Sequence, residues 1–112
     1  MKRSLLILLI ALGSAYSPVP GASQPRALLP DGVSARDVRF YSEGIECHGR
    51  LFTPRGFSAE SKSPAVVLAP GWRETASSVE NFAARFAERG LVAMTIDYRG
   101  WGKSGGFVQT VD

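Results

Sequence analysis

Cysteine and histidine are scarce in this sequence. Its 112 residues include one cysteine, Cys47, and one histidine, His48. A single cysteine excludes a disulfide within the chain. Cys47 stands near Ile45 and Leu51 in a segment with strand character. That place in a strand favours a small buried residue over a nucleophile.

A long apolar segment is also missing. The longest apolar run, residues 5–12, follows two basic residues and is much shorter than the roughly 20 residues of a membrane-spanning helix. A basic start, a short apolar run and small residues near Ala15 and Ala22 are typical of a secretory signal peptide. We therefore predict a signal peptide over residues 1–23, a secreted or periplasmic protein, and no stable membrane span.

Charge of one sign is not in excess. The formal net charge is +3, from 13 basic and 10 acidic residues. Lys2 and Arg3 belong to the predicted signal peptide, so the rest of the chain is nearly neutral, and we predict no nucleic-acid partner. With 45% hydrophobic and 21% charged residues, the chain has the composition of one small globular domain. We assign residues 24–36 to a flexible lead-in and residues 37–112 to a partial domain.

Residues 37–53 have the pattern of a β-hairpin. Val38 and Phe40 alternate with polar residues, and apolar residues recur at Ile45 and Leu51. A turn at residues 42–44 would join the two strands in antiparallel fashion.

Two later segments have the pattern of buried parallel strands. Residues 65–69 and 91–96 are apolar on both faces, without the alternation of a half-exposed strand. A helix between them would make a right-handed βαβ unit. In such units the chemistry lies at the carboxyl ends of the strands, and here both strands end in glycine-containing loops.

The segment between these strands predicts an amphipathic helix. A capping box from Ser77 to Glu80 would start it, and Gly90 would end it in the left-handed conformation. The apolar residues recur at helical spacing and should form the buried face: Val79, Phe82, Ala83, Phe86 and Ala87.

Three motifs in this order resemble the N-terminal half of a serine-dependent α/β-hydrolase. They are APGWRE after the first parallel strand, AARFAERG on the helix and DYRGWGKSGG after the second. The resemblance covers residues 38–106 and extends to esterases, dienelactone-hydrolase-like enzymes and serine peptidases. It implies an α/β fold: an incomplete α/β-hydrolase sheet, in which an antiparallel edge hairpin precedes the βαβ unit. The fourth strand should then lie between the second and the third. The resemblance implies no metal or organic cofactor.

By this resemblance, the first glycine loop forms the oxyanion hole. Trp72 would donate its main-chain N–H to the oxygen that gains negative charge during acyl transfer, and its indole would form a wall of the substrate pocket. Gly71 is expected to turn the chain with a positive φ. Pro70 stands where the family often has histidine, which predicts a different bracing of the loop. The alternative is a plain strand-to-helix turn.

The second glycine loop contains two motifs that mimic functional ones. Gly102-Lys103-Ser104 suggests a phosphate-binding loop, but that motif requires a glycine where Asp97 stands, and no helix follows. Residues 102–106 match the G-x-S-x-G nucleophile elbow, in which a strand leads directly into the serine. Here the apolar strand stops well before Ser104.

By the resemblance, this segment is the D-x-R-G-x-G-x-S loop that follows the fourth strand. We therefore predict that Asp97, Arg99 and Ser104 brace the loop. Trp101 is a second candidate for the wall of the substrate pocket.

No catalytic nucleophile, acid or base is assigned in this chain. In α/β-hydrolases the histidine follows the nucleophile and the acid, whereas His48 precedes every candidate serine. We predict it to be a strand residue with its ring partly in water. The resemblance places all three catalytic residues beyond Asp112.

The sequence thus predicts the N-terminal fragment of an exported serine hydrolase. The complete enzyme would act by acyl transfer on small-molecule ester or peptide substrates, and the 112-residue chain would be inactive. The alternative is a secreted, non-catalytic α/β domain that binds a small ligand or a protein with the same loops. An elbow without serine in the following sequence would favour that alternative.

Overall fold

The computed structural model describes residues 27–108. The predicted signal peptide and the start of the predicted lead-in lie outside the described residues. None of the helices within residues 27–108 has the length and apolar character that a membrane crossing requires.

The predicted hairpin is confirmed. Strand β1 (Ser34–Ser42) pairs in antiparallel register with β2 (Ile45–Thr53). The two residues between them, Glu43 and Gly44, have φ angles of 50° and 79°. Positive φ at both positions is what a two-residue type I′ turn requires. Strand β1 begins at Ser34, earlier than the predicted start at Asp37.

The predicted βαβ unit is also confirmed. Strand β3 (Ala65–Leu68) runs parallel to β4 (Val92–Ile96), and β4 pairs with β2 in antiparallel register. The sheet order is β1-β2-β4-β3. In the described part of the chain, β3 is an edge strand. Val66 and Leu68 pack against the core, whereas Val67, on the other face, is 64% exposed. Within the described residues β3 is therefore covered on one face only, whereas the sequence predicts burial on both.

The helical segment has two parts. A short 3₁₀ helix (Ala76–Val79) leads into helix α1 (Glu80–Glu88). Gly90 follows with a φ of 93°, and the N–H of Leu91 donates to the carbonyl of Phe86 at 3.1 Å. The predicted glycine stop is therefore confirmed.

The buried face of α1 is made of alanines rather than phenylalanines. Ala83, Ala84 and Ala87 are buried against the sheet, while Phe82 and Phe86 are 61% and 39% exposed. The prediction that the two phenylalanines face the core is therefore wrong. Because the alanine side chains are small, the helix axis can lie close to the sheet, where Phe52 and Ala93 complete the core.

The start of α1 is held by a long-range ion pair. The predicted capping box is wrong, because neither helical segment has a side-chain cap hydrogen bond. Instead Nη1 of Arg50 on β2 donates to Oε2 of Glu80 at 2.8 Å, and both side chains are 8% exposed. The guanidinium also lies 5.3 Å from the ring centroid of Phe52. A buried arginine requires a counter-ion, and that requirement determines where the Glu80 carboxylate lies.

Replacing Glu80 should destabilise the fold far more than replacing another glutamate of the same helix. Glu80→Ala removes the hydrogen-bonded partner of the buried Arg50 and leaves it only the longer contact with Asp37, at 4.0 Å. We therefore expect a loss of about 3 kcal/mol in the free energy of unfolding. Glu88→Ala is the matched control, since its pair with Arg85 is exposed and should contribute less than about 1 kcal/mol. Urea denaturation followed by circular dichroism measures both. Equal losses in the two variants would contradict a larger stabilising contribution from the buried Arg50–Glu80 pair.

Candidate functional site

The carboxylate of Asp97 connects three separate parts of the chain. It follows β4 directly and is 3% exposed. Its Oδ1 accepts a hydrogen bond from the N–H of Ala76 at 2.7 Å, and its Oδ2 accepts one from the N–H of Lys103 at 3.1 Å. Oδ2 also lies 3.1 Å from Nδ1 of His48. A Cβ atom on Gly102 would lie 2.4 Å from the carboxyl carbon, so glycine is required there.

Ser104 and Arg99 both hold the second glycine loop against the hairpin. The hydroxyl of Ser104 donates to the carbonyl of Asp97 at 2.8 Å and accepts from the N–H of His48 at 2.9 Å. The guanidinium of Arg99 pairs with Glu43 in the hairpin turn. The structure thus brings together the residues for which the sequence predicted a bracing role.

His48 is more deeply placed than the sequence predicts. Its side chain is 15% exposed, and its Nε2 lies 3.6 Å from Oδ1 of Asp37. Its contact with Asp97 cannot be predicted from the sequence, because the contact depends on strand register: Gly49 lies opposite Ile96, which brings the neighbouring residues together. No local pattern reveals that register.

Serine, histidine and aspartate therefore meet at this point, but not as a catalytic triad. The Ser104 hydroxyl contacts the main chain of His48 rather than its imidazole ring. An activated nucleophile needs a hydrogen bond to the side chain of its base. Within residues 27–108 the Ser104 hydroxyl therefore has no hydrogen bond to a side-chain base and joins the second glycine loop to β2.

The first glycine loop forms a tight turn after β3. The N–H of Glu74 donates to the carbonyl of Gly71 at 3.1 Å, and Arg73 has a φ of 65°. The prediction of a positive φ at Gly71 is wrong, because Gly71 is not among the residues with positive φ. The left-handed conformation falls instead on Arg73, the third residue of the turn, as it does in a type II turn.

Hydrogen bonding in this turn distinguishes its two N–H groups. The N–H of Gly71 donates to Oε2 of Glu74 at 3.2 Å, and that oxygen also accepts from the hydroxyl of Ser78 at 3.1 Å. The N–H of Trp72 has no acceptor among residues 27–108. Gly71 and Trp72 are the two residues predicted to form an oxyanion hole. The N–H of Gly71 is bonded to the Glu74 carboxylate, whereas the N–H of Trp72 is available to a ligand.

The two glycine loops enclose an open cleft of about 560 Å³. Trp72 and Trp101 both line it and contact each other edge to face, with 5.7 Å between ring centroids and an interplanar angle of 61°. Three charged residues also line it: Arg73, Glu74 and Arg99. The rest of the lining is mostly apolar or aromatic: Ile45, Pro70, Gly71, Tyr98, Gly106 and Phe107. Ser104 is not part of this lining.

No group of three or more histidine, cysteine, aspartate or glutamate side chains within residues 27–108 could hold a metal ion.

Comparisons with known proteins agree on one superfamily. A family model described as serine aminopeptidase, S33, matches residues 60–112. No curated protein matches the chain. Among solved structures, a hypothetical protein from Pseudomonas aeruginosa is 28% identical, with a TM-score of 0.62. The aligned region includes 71% of this chain and 25% of the Pseudomonas protein.

Two characterised structures are similar to a comparable extent. The alpha/beta hydrolase GrgF from Penicillium sp. sh18 is 28% identical with a TM-score of 0.57, covering 65% of this chain and 24% of its own. Acetyl xylan esterase from Paenibacillus sp. R4 is 25% identical with a TM-score of 0.60, covering 73% of this chain and 26% of its own. The chain thus spans about a quarter of the length of these structures.

Removing the Asp97 carboxylate should release the start of the 3₁₀ helix and the second glycine loop. Asp97→Ala leaves the N–H groups of Ala76 and Lys103 without their acceptor, and each such loss costs about 1–3 kcal/mol. We expect a decrease of about 3 kcal/mol or more in the free energy of unfolding, measured by urea denaturation. Asp31→Ala, at an exposed position, is the control and should change stability by less than about 0.5 kcal/mol. A small effect at Asp97 would show that the loops are held by other contacts.

Proposed function

This chain belongs to the α/β-hydrolase superfamily, and from that premise we propose that it supplies the oxyanion-binding loop of a serine hydrolase. The reaction is acyl transfer from an ester or amide, with a serine as nucleophile, a histidine as base and an acidic residue that orients the histidine. Those three residues belong to the remainder of the enzyme. The substrates are small-molecule esters or short peptides.

The observation that carries this proposal is the available N–H of Trp72 at the end of a parallel strand. In a four-residue turn the N–H groups of the two central residues make no internal bond, and here the turn is fixed by the Gly71 carbonyl and the Glu74 carboxylate. Fixed donors of this kind stabilise the oxyanion of the transition state without reorganising. The left-handed conformation of Arg73, which costs roughly 1–3 kcal/mol, is part of this turn and is held by the same contacts.

The position of this donor relative to the cleft supports the same function. Trp72 contributes both the free N–H and a ring that lines the cleft. A carbonyl group in the cleft would then have its oxygen beside the donor and its substituents against aromatic walls. Backbone donors at strand ends and an apolar pocket are the two parts that an acyl-transfer site needs before the nucleophile is added.

A pair of variants at Trp72 in the complete enzyme tests the donor. Trp72→Ala and Trp72→Pro both remove the indole, but only proline removes the N–H. Proline is favoured at the second position of such turns, so the fold should persist. We expect kcat for p-nitrophenyl acetate to be about 10²–10³-fold lower in Trp72→Pro than in Trp72→Ala. Equal kcat values would exclude Trp72 as the oxyanion donor.

For the 112-residue chain alone we propose that there is no hydrolase activity. The hydroxyl of Ser104, the residue with the sequence pattern of an elbow, is committed to two main-chain hydrogen bonds. We expect p-nitrophenyl acetate to be hydrolysed at the same rate with and without the chain. Turnover that disappears in Ser104→Ala but persists in Ser58→Ala would overturn this assignment.

We also propose that the chain is exported through the signal peptide at residues 1–23. The support is the sequence pattern of a basic start and a short apolar run. A fusion of residues 1–30 to alkaline phosphatase should be active outside the cytoplasm of a bacterial host. Leu8→Arg, which interrupts the apolar run, should abolish that activity, whereas Ser4→Thr should preserve it. Retention of the unaltered fusion in the cytoplasm would contradict export.

A further inference from the structure

We propose that the cleft lined by Trp72 and Trp101 binds aromatic carboxylic acids and, in the complete enzyme, the acyl groups of their esters or amides. This inference rests on the proposed function and specifies its substrate class. It follows from three properties of the cleft: the arrangement of its rings, the charges along its walls, and its size.

The aromatic rings of the cleft are arranged to accept another ring. Trp72 and Trp101 contact each other edge to face at 5.7 Å, and Trp72 remains 72% exposed. Tyr98 and Phe107 extend the same aromatic surface. A planar ring can add offset or edge-to-face contacts with these side chains, whereas a saturated ring of equal size gains only the burial of apolar area.

The charges along the cleft favour an anion. Arg73 and Arg99 line it together with a single carboxylate, Glu74. Oε2 of Glu74 already accepts two hydrogen bonds, and Arg99 is paired with Glu43. Among the described residues, Arg73 makes no ion pair. A cation could be attracted to the tryptophan faces, but two arginines on the walls oppose it.

The size and the donors of the cleft suit a small acid. Its volume of about 560 Å³ falls within the range of small-molecule sites, roughly 300–1,000 Å³. The available N–H of Trp72 and the Arg73 guanidinium can both donate to a carboxylate. The same N–H would receive the carbonyl oxygen of an ester, so product acid and substrate acyl group share one binding mode.

Tryptophan fluorescence of the 112-residue chain tests this inference without any turnover. Both tryptophans of the sequence lie at the cleft, so the whole signal reports on it when excited at 295 nm. The probes are 3-phenylpropionate, 3-cyclohexylpropionate and 3-phenylpropanol. We expect a saturable change with 3-phenylpropionate, and about threefold to tenfold weaker binding of the saturated analogue, from the lost ring contacts.

Arginine variants separate the charge contribution from the ring contribution. Arg73→Gln should lower the affinity for 3-phenylpropionate about two- to fivefold. The affinity for the uncharged 3-phenylpropanol should stay the same. Arg36→Gln, an exposed arginine outside the cleft lining, is the matched control and should change neither. In Trp72→Leu, read through Trp101, the preference for the aromatic ring over the saturated ring should be lost. Circular dichroism of each variant establishes that it is folded.

Several results would overturn the inference. These are no saturable signal, equal binding of the aromatic and saturated acids, or equal effects of Arg73→Gln and Arg36→Gln. A fluorescence change that follows protein concentration, together with dimers in sedimentation, would assign the cleft to a second copy of the chain instead. The proposed function is tested separately by kcat in the Trp72 variants, so either proposal can fail while the other stands.

Discussion

A single buried carboxylate determines the geometry of the candidate site. Asp97 ends β4 and receives donors from the 3₁₀ helix, from the second glycine loop and from the hairpin. A carboxylate without water is stable only when donors replace the lost solvation, so these three elements must converge on it. Gly102 follows from the same constraint, since any side chain there would occupy the space of the carboxylate. The cleft walls therefore have fixed positions relative to the sheet.

The sheet below this carboxylate has its own buried charge pair. Arg50 and Glu80 join β2 to the first turn of α1, while Asp97 joins β4 to the segment just before that turn. The start of the helical segment is thus attached at two points on neighbouring strands. The first glycine loop runs from β3 into this attachment, so its free N–H group is presented by a turn with both ends fixed.

Much of the fold follows from local sequence patterns, while the site depends on contacts between distant residues. Alternation and turn residues at 42–44 predict the hairpin, and apolar runs with Gly90 between them predict the βαβ unit. The helix face was misassigned because hydrophobicity ranks Phe82 above Ala84, although close packing on the sheet favours the small residue. The Glu80 carboxylate was assigned to a local cap because nothing in its neighbourhood points to Arg50.

The same distinction explains the results at the two loops. Glycine-rich loops after apolar strands are visible without a structure, and the resemblance to α/β-hydrolases then predicts roles for residues in them: Trp72, Trp101, Asp97, Arg99 and Ser104. The sequence pattern placed the left-handed residue at Gly71 because glycine adopts that conformation most readily, whereas the turn requires it at Arg73. The place of His48 could not be predicted, since it depends on the register between β2 and β4.

The wide sequence separation of the groups that meet at Asp97 has a kinetic consequence. Its partners His48 and Ala76 are 49 and 21 residues away along the chain. Closing such loops carries an entropic cost before any bond is gained, and contacts between distant residues slow folding. The hairpin and the helix can form early from neighbouring residues, but the cleft exists only after the last strand has docked. The walls of the cleft are therefore expected to come together late in folding, when the contacts that give the chain its global stability also form.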